Sequence, residues 1–425
     1  MSPESEVLSA TQKKPSYRSL LAHGNYRLLL SSQVISAIGD GVYALALIWM
    51  MKIMTGSALL MSILLAAEIV PLILVGLFAG IIVDRGNKKK MMIWNDIFRG
   101  AVVSLLVLLW MVDWLEPYTL IIAAVLLSSS TAFYAPSRMV SVRTIVPEDH
   151  MVQAQSLSQI AQTVVGLSAP AIGAWLIHMG ISYAFIVNAA SFFISSLLIS
   201  LIRNEQLSHG SGKGTLNLNR MMSDFKEGLR TITSHPLLRS LVQYIVLINF
   251  MLAPTSLLFP LIVTDASELA VLETSFFIGI AVGALLINFL SAWPPVASLA
   301  FGIGLMLIGL GALYWDLGLY FAAMFVFVAG LGSPMANVTL QTLFILKVPR
   351  ETLGRAGSMM KVLLEAARPT SMLLAGALIT WIPLRSFFAV MALLGLIIVG
   401  LMVLNPAIRS DKEVQTAQPS GLEKS

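Results

Sequence analysis

Apolar stretches of about 20 residues, repeated along most of the length, constrain this chain more than any other feature. A helix of that length matches the hydrocarbon thickness of a bilayer. The runs fall near 26–50, 57–83, 91–112, 118–138, 150–178 and 181–202, then near 237–263, 270–291, 295–314, 317–346, 351–381 and 384–404. An all-α membrane protein with about twelve transmembrane helices is therefore expected. Only 12% of the residues are charged and 57% are hydrophobic, whereas soluble domains carry about 25% charge.

The second and third runs are joined by a short basic turn. An apolar segment ends at Asp84 and Arg85, and Lys88, Lys89 and Lys90 precede the next one. The positive-inside rule puts this turn in the cytoplasm. With both termini inside, the cytoplasmic stretches also hold Arg138, Arg143, Arg203, Lys213, Arg220, Lys226, Arg230, Arg239, Lys347, Arg350, Arg355 and Arg409. The opposite loops hold Lys52 and Arg385 among the acids Asp113, Glu116, Asp265, Glu268 and Asp316. Membrane orientation thus accounts for the net charge of +5, and nucleic acid is not an expected partner. Gly76 and Gly80, four apart, offer a bare helix face to a close neighbour. The absence of cysteine excludes disulfides and thiol metal sites. The polar segment 1–25 has no apolar core or small-residue cleavage site, so the first run is expected to act as its own insertion signal.

A polar interruption, 204–236, divides the chain into a six-helix half at 26–203 and another at 237–405, with a polar tail at 406–425. Within it, Met222, Phe225, Leu229 and Ile232 recur at helical spacing, predicting a short amphipathic helix on the cytoplasmic surface. The halves are related. Val146-Pro-Glu-Asp-His-Met-Val-Gln-Ala-Gln-Ser aligns without gaps to Val348-Pro-Arg-Glu-Thr-Leu-Gly-Arg-Ala-Gly-Ser. Each segment follows a span with a late proline, Pro136 or Pro334, and opens one with a deep proline, Pro170 or Pro369. Two parallel copies of one unit are expected, with the substrate path between them.

These features carry a resemblance. The segment from Gly80 through Asp84 and Arg85 to Lys90 resembles the loop between helices two and three of the major facilitator superfamily. Ser36-Ala-Ile-Gly-Asp-Gly, Thr55-Gly-Ser-Ala, Asp96-Ile-Phe-Arg99, Phe133-Tyr-Ala-Pro-Ser-Arg, Asp224-Phe-Lys-Glu-Gly-Leu-Arg and Leu353-Gly-Arg-Ala are similar to its drug:proton antiporters. Within these, the chain is most similar to the branch of bacterial macrolide efflux proteins, the enterobactin exporter and peptide-antibiotic exporters. The resemblance implies two pseudo-symmetric six-helix halves, alternating access, a proton gradient in place of a cofactor, a bacterial inner or plasma membrane, a small amphiphilic substrate and a monomer. It also implies a conformational lock made by Gly80, Asp84, Arg85, Lys88 and Lys89 against the start of the eleventh span at Arg355. The antiporter packing motif of the fifth span survives as Gly166, Pro170 and Gly173, with two of its glycines replaced by alanine. No basic copy of the lock follows the eighth span, where Ser291-Ala-Trp-Pro-Pro-Val stands.

A charge at mid-bilayer costs about 3 kcal/mol or more and needs a reason. Glu68, about 11 residues into the second run, has no partner nearby in sequence. Low dielectric favours a neutral carboxyl, which makes Glu68 the first proton-coupling candidate. Asp40, roughly 21 Å along the first run, is the second candidate, with helix packing as its alternative role. Asp96 and Arg99 are spaced to pair near the cytoplasmic end. Glu365 and Arg368, deep in the eleventh run, are gate or substrate candidates that can equally neutralise each other. Gln159, Gln162, Asn249 and Asn337 can line a cavity or hydrogen-bond between helices. No nucleophile motif, metal-ligand spacing or phosphate-binding loop is present, so an enzyme is not expected. The first expectation is secondary export of amphiphiles by proton antiport. The others are lysophospholipid transport, uptake or uniport and, last, a non-transporting sensor, for which the tail is short and polar.

The implied lock generates a prediction. An acid at a helix N-terminus beside an arginine is worth about 1–2 kcal/mol. Asp84→Asn should therefore shift the protein toward the cytoplasm-open state by about five- to thirtyfold. Distances between labels at residues 87 and 352 report the shift, and an unchanged distribution with intact transport would make Asp84 an ordinary span-end acid.

Overall fold

A computed structural model of the protein describes residues 16–204, 207, 218–287, 293–349 and 351–409. Within α3, the side chains of residues 81 and 84 also fall outside the description, as do those of 218–221 in α8. Helices dominate: α1 Tyr17–Ala22, α2 Gly24–Thr55, α3 Ala58–Arg85, α4 Lys88–Met111, α5 Pro117–Ile145, α6 Met151–Met179, α7 Ile181–Ser200 and α8 Leu218–Ser234. There follow α9 Pro236–Leu252, α10 Thr255–Ile262, α11 Ala266–Leu286, α12 Pro295–Gly311, α13 Leu319–Lys347, α14 Leu353–Leu378, α15 Ser386–Leu404 and α16 Pro406–Arg409. Eleven spans among the described residues are long and apolar enough to cross a bilayer. The 26-residue α14 is long enough too, but Arg355, Lys361, Glu365 and Arg368 lower its hydropathy.

Local chemistry sets the helix ends. Ser57 accepts from Leu60 N at 3.3 Å to cap α3, and Asn87 accepts from Lys90 N at 2.9 Å to cap α4. The basic turn is therefore only Gly86 and Asn87, and its lysines form the first turn of α4. Lys89 Nζ donates to the carbonyls of Ser200 and Ile202 at 2.7 Å each, supplying donors where α7 ends. The aligned segments of the two halves behave alike, each bridging a long helix to the next span, at α5–α6 and at α13–α14.

Two differences from the sequence reading stand out. The seventh span is not one helix but α9 and α10, because Pro254 has no N–H to offer the Phe250 carbonyl. Ser371 Oγ of α14 donates to that carbonyl instead. The segment before the first span also contains α1, a single turn and a half held by reciprocal Ser16 and Ser19 caps. Its Leu20 is fully buried, and Ser19 Oγ lies 2.8 Å from His150 Nε2.

The halves join through α3 on α14 and α6 on α11, which are exchanged counterparts under the repeat. Away from the basic turn, one apolar core crosses both halves, from Val42, Leu64 and Phe185 to Leu257, Leu269 and Phe388. Toward the basic turn the core divides. Leu29, Met92 and Ile199 belong to the first half alone, whereas Ile232, Leu238, Phe344 and Met359 belong to the second. Among the described residues, Gly76, Gly80 and Gly354 have no atom within 4 Å of an added Cβ. The close approach expected at Gly76 and Gly80 is thus absent, since the halves part at that end.

Inside the second half, α12 and α13 touch backbone to backbone. A Cβ on Gly302 would lie 2.7 Å from the Gly332 carbonyl oxygen. Gly302→Leu should therefore lower stability by about 1–3 kcal/mol or more. Gly304→Leu on the same helix, where an added Cβ meets nothing within 4 Å, should leave the melting temperature nearly unchanged.

Candidate functional site

The first half contains a recess of about 220 Å³, lined by Asp40 and Tyr43 of α2, Glu68 of α3, Arg99 of α4, Ser128 of α5 and Asn188 of α7, among others. The sequence around Asp40 explains its placement. Gly39 lets α7 in so closely that a Cβ there would lie 2.7 Å from Asn188 Oδ1, and a Cβ on Gly41 would lie 2.5 Å from the Ala169 methyl. With a bare position on either side, Asp40 remains as the side chain facing the opening, half exposed.

Behind it lies a buried ion network. Arg99 pairs with Asp96 within α4, and its Nη1 is 4.0 Å from Asp40 Oδ2. Asp96 also accepts from Ser195 Oγ at 2.7 Å. The Arg99 guanidinium sits over the rings of Tyr134 and Phe192, at 4.3 and 4.5 Å from their centroids, where cation–π attraction offsets part of its lost hydration. Arg99 Nε, Asn188 Nδ2 and Tyr43 Oη are buried without a hydrogen-bond partner among the described residues. Glu68 lies within electrostatic reach of Asp40 and of Arg368 on α14, and its backbone carbonyl accepts from Ser128 Oγ at 2.6 Å. Asp40 and Glu68 line the recess, and with Asp96 behind it they outnumber Arg99, the cation of its wall. In low dielectric such an excess is stable only with a bound proton or cation.

The structure brings Asp40 and Glu68 to the Asp96–Arg99 pair, which the sequence spacing anticipated, and puts that pair in the interior with 0% and 2% exposure. Glu365 and Arg368 pair within α14 at 3.1 Å and are partly exposed. Gln159 and Gln162 are exposed on α6, and Gln159 lines a cleft with Met151, Gln155 and Ile160. Asn249 and Asn337 donate to carbonyls of their own helices, Ile245 and Ser333. A Cβ on Gly166 would lie 2.6 Å from the Phe277 ring of α11, and one on Gly173 would lie 3.5 Å from Val42 Cα. Of the implied lock, Arg85 is exposed, Lys88 is buried at the start of α4 and Lys89 is tied to α7. The Asp84 side chain lies outside the described residues. Arg355 is held elsewhere, with Nε 3.0 Å from Asp224 and Nη1 on Glu227, both on α8.

Sequence reasoning missed Glu273. With the eighth span drawn from 270, this acid falls in its first turn. Because α11 begins at Ala266, Glu273 actually lies about 10 Å along it. It forms no hydrogen bond or ion pair among the described residues and stands one turn from Phe277, whose ring covers Gly166.

Known proteins agree with this architecture. The family model described as "Transmembrane secretion effector" matches residues 16–293. Macrolide efflux protein A of Streptococcus pyogenes is 24% identical over 406 residues, covering 92% of this chain and 98% of that protein. The multidrug efflux pump Tap of Mycobacterium tuberculosis is 29% identical over 404 residues, covering 90% and 93%. Among solved structures, the nucleoside transporter NupG superposes with a TM-score of 0.68 at 10% identity, covering 89% of this chain and 98% of that one. A bacterial homologue of the lysosomal transporter Spinster, inward-facing and unoccupied, superposes with a TM-score of 0.62 at 14% identity, covering 93% and 96%.

The ion network predicts its own energetics. Arg99→Met leaves Asp96 buried without a counter-charge and should cost about 3–5 kcal/mol of stability. Arg99→Met combined with Asp96→Leu should recover most of that loss in thermal unfolding. A double variant no more stable than the single one would show that Asp96 is not the charge Arg99 neutralises.

Proposed function

This chain belongs to the transmembrane secretion effector family of major facilitator transporters, and from that premise we infer that it exports amphiphilic small molecules in exchange for protons. The observation that carries this reading is the carboxylate excess at a recess with half-exposed Asp40 at its opening, in a bundle whose halves are closed at one end and parted at the other. By the positive-inside rule the parted end, which bears Arg85 and Lys88 to Lys90, faces the cytoplasm. Substrate would enter the gap between the halves from there. A proton taken up on the opposite side would neutralise one recess carboxyl, and its release inside would complete the exchange. The relatives named for macrolide and multidrug efflux support an exporter of this kind. Chemistry on bound substrate has no part in it; the chain is a transporter rather than an enzyme.

One observation favours a second reading, transport of a lipid. A cleft of about 630 Å³ between α6 and α11 is lined by Ala174, Trp175, His178, Val271 and Thr274, near the closed end. Such a cleft between the halves could admit an acyl chain. A susceptibility panel comparing cells with and without the gene, across macrolides, peptide antibiotics and dyes, separates export of drugs from lipid movement, which would leave the panel unchanged.

Proton coupling makes a sharper prediction. Glu68→Gln should abolish uphill export in proteoliposomes, by tenfold or more on the order of a lost coupling site, while ligand binding survives. Export by Glu68→Gln equal to that of the parent would move the role to Asp40, which the same assay tests as Asp40→Asn.

A further inference from the structure

The helix α8 has three distinct sides. Phe225, buried Gly228 and Ile232 face the bundle, where a Cβ on Gly228 would lie 2.6 Å from the Arg355 carbonyl oxygen. Asp224 and Glu227 flank them and hold the Arg355 guanidinium at the start of α14. Among the described residues the remaining side is unpartnered. On it Met222 and Leu229 are 53% and 39% exposed, and Lys226 and Arg230 stand exposed beside them. Neither cation forms an ion pair or hydrogen bond among the described residues, although the acids of the same helix do.

An exposed apolar pair edged by free cations, on a helix lying at the end of a membrane bundle, matches the boundary between acyl chains and headgroups. The acids of α8 are turned away from that side and held by Arg355, so the side that bears Met222 and Leu229 carries the cations Lys226 and Arg230. The same end carries the basic turn, with Arg85 and Lys90 exposed. We propose that the outer side of α8 is a docking surface for anionic phospholipid headgroups, and that the ion pairs of Asp224 and Glu227 with Arg355 transmit its occupancy to the first turn of α14. That turn borders the gap between the halves, where Gly354 faces open space. The surface depends on the fold alone and is independent of which substrate the central site takes.

The test uses the full chain in nanodiscs of phosphatidylcholine, with or without about one-third phosphatidylglycerol. A basic residue at an anionic surface is worth about fivefold in partitioning, so the pair is worth about thirtyfold. Amide hydrogen exchange across residues 222–233 should slow by about that factor when phosphatidylglycerol is present. Lys226→Gln with Arg230→Gln should lose the slowing while matching the parent in phosphatidylcholine, which shows that α8 is still folded. Asp224→Asn with Glu227→Gln should keep the slowing, yet the distance between labels at 87 and 352 should no longer respond to phosphatidylglycerol as it does in the parent. Equal exchange in the two lipids would overturn the proposal, as would full slowing in the Lys226→Gln, Arg230→Gln variant. A label distance still responsive after loss of both acids would overturn the transmission through Arg355.

Discussion

Hydrocarbon offers the backbone no hydrogen bonds, and the rest of this structure depends on that constraint. It makes every span a helix and makes each break in a helix a matter of side-chain supply. Where Pro254 frees the Phe250 carbonyl, a hydroxyl from another helix, that of Ser371, takes over. Where α7 ends, Lys89 reaches across to the carbonyls of Ser200 and, just beyond the helix, Ile202. The bend between α9 and α10 is thus tied to α14, the helix that also borders the gap between the halves.

Helices in lipid gain nothing from water exclusion, so contact between them depends on shape. Gly302 and Gly332 bring two backbones together within one half, and Gly166 receives Phe277 from the other. Bare positions therefore decide where the bundle is tight. The same residue type marks where it is open, since Gly76, Gly80 and Gly354 face empty space near the basic turn. A shared core at one end and divided cores at the other make the two ends unequal. Alternating access requires the converse arrangement to be reachable, with the shared core parting and the glycine-lined end closing.

Charge in this setting is confined to places that can hold it. Arg99 is stabilised by Asp96 and by the faces of Tyr134 and Phe192, which hold it in the wall of the first half. Against that fixed charge, Asp40 and Glu68 border the recess, and Asp40 stands 4.0 Å from Arg99, farther than Asp96 does. Arg355 is fixed in a different way, by two acids from α8, so the linker helix and the second half form one electrostatic unit.

Much of this was legible in the residues. Run length gave the helices, the one-sided distribution of Arg and Lys gave a distinct basic face, and the Val146 and Val348 segments gave the duplicated halves. Those properties are local or additive along the chain, so sequence carries them directly. The amphipathic spacing of α8 was visible for the same reason, whereas which acid would take Arg355 was not. Pairings depend on which faces meet: Arg99 with Asp40 across α4 and α2, Ser371 with Phe250 across α14 and α9, Asp224 and Glu227 with Arg355. Glu273 escaped notice because a boundary error of four residues moved it from the interior to an end. By itself the sequence determined which segments are long apolar helices, their order and which face is basic, because hydrophobic length and charge act on each segment alone. Only the tertiary structure decided which charges are partners and which end of the bundle is closed, because both depend on the distance and rotation between helices far apart in the chain.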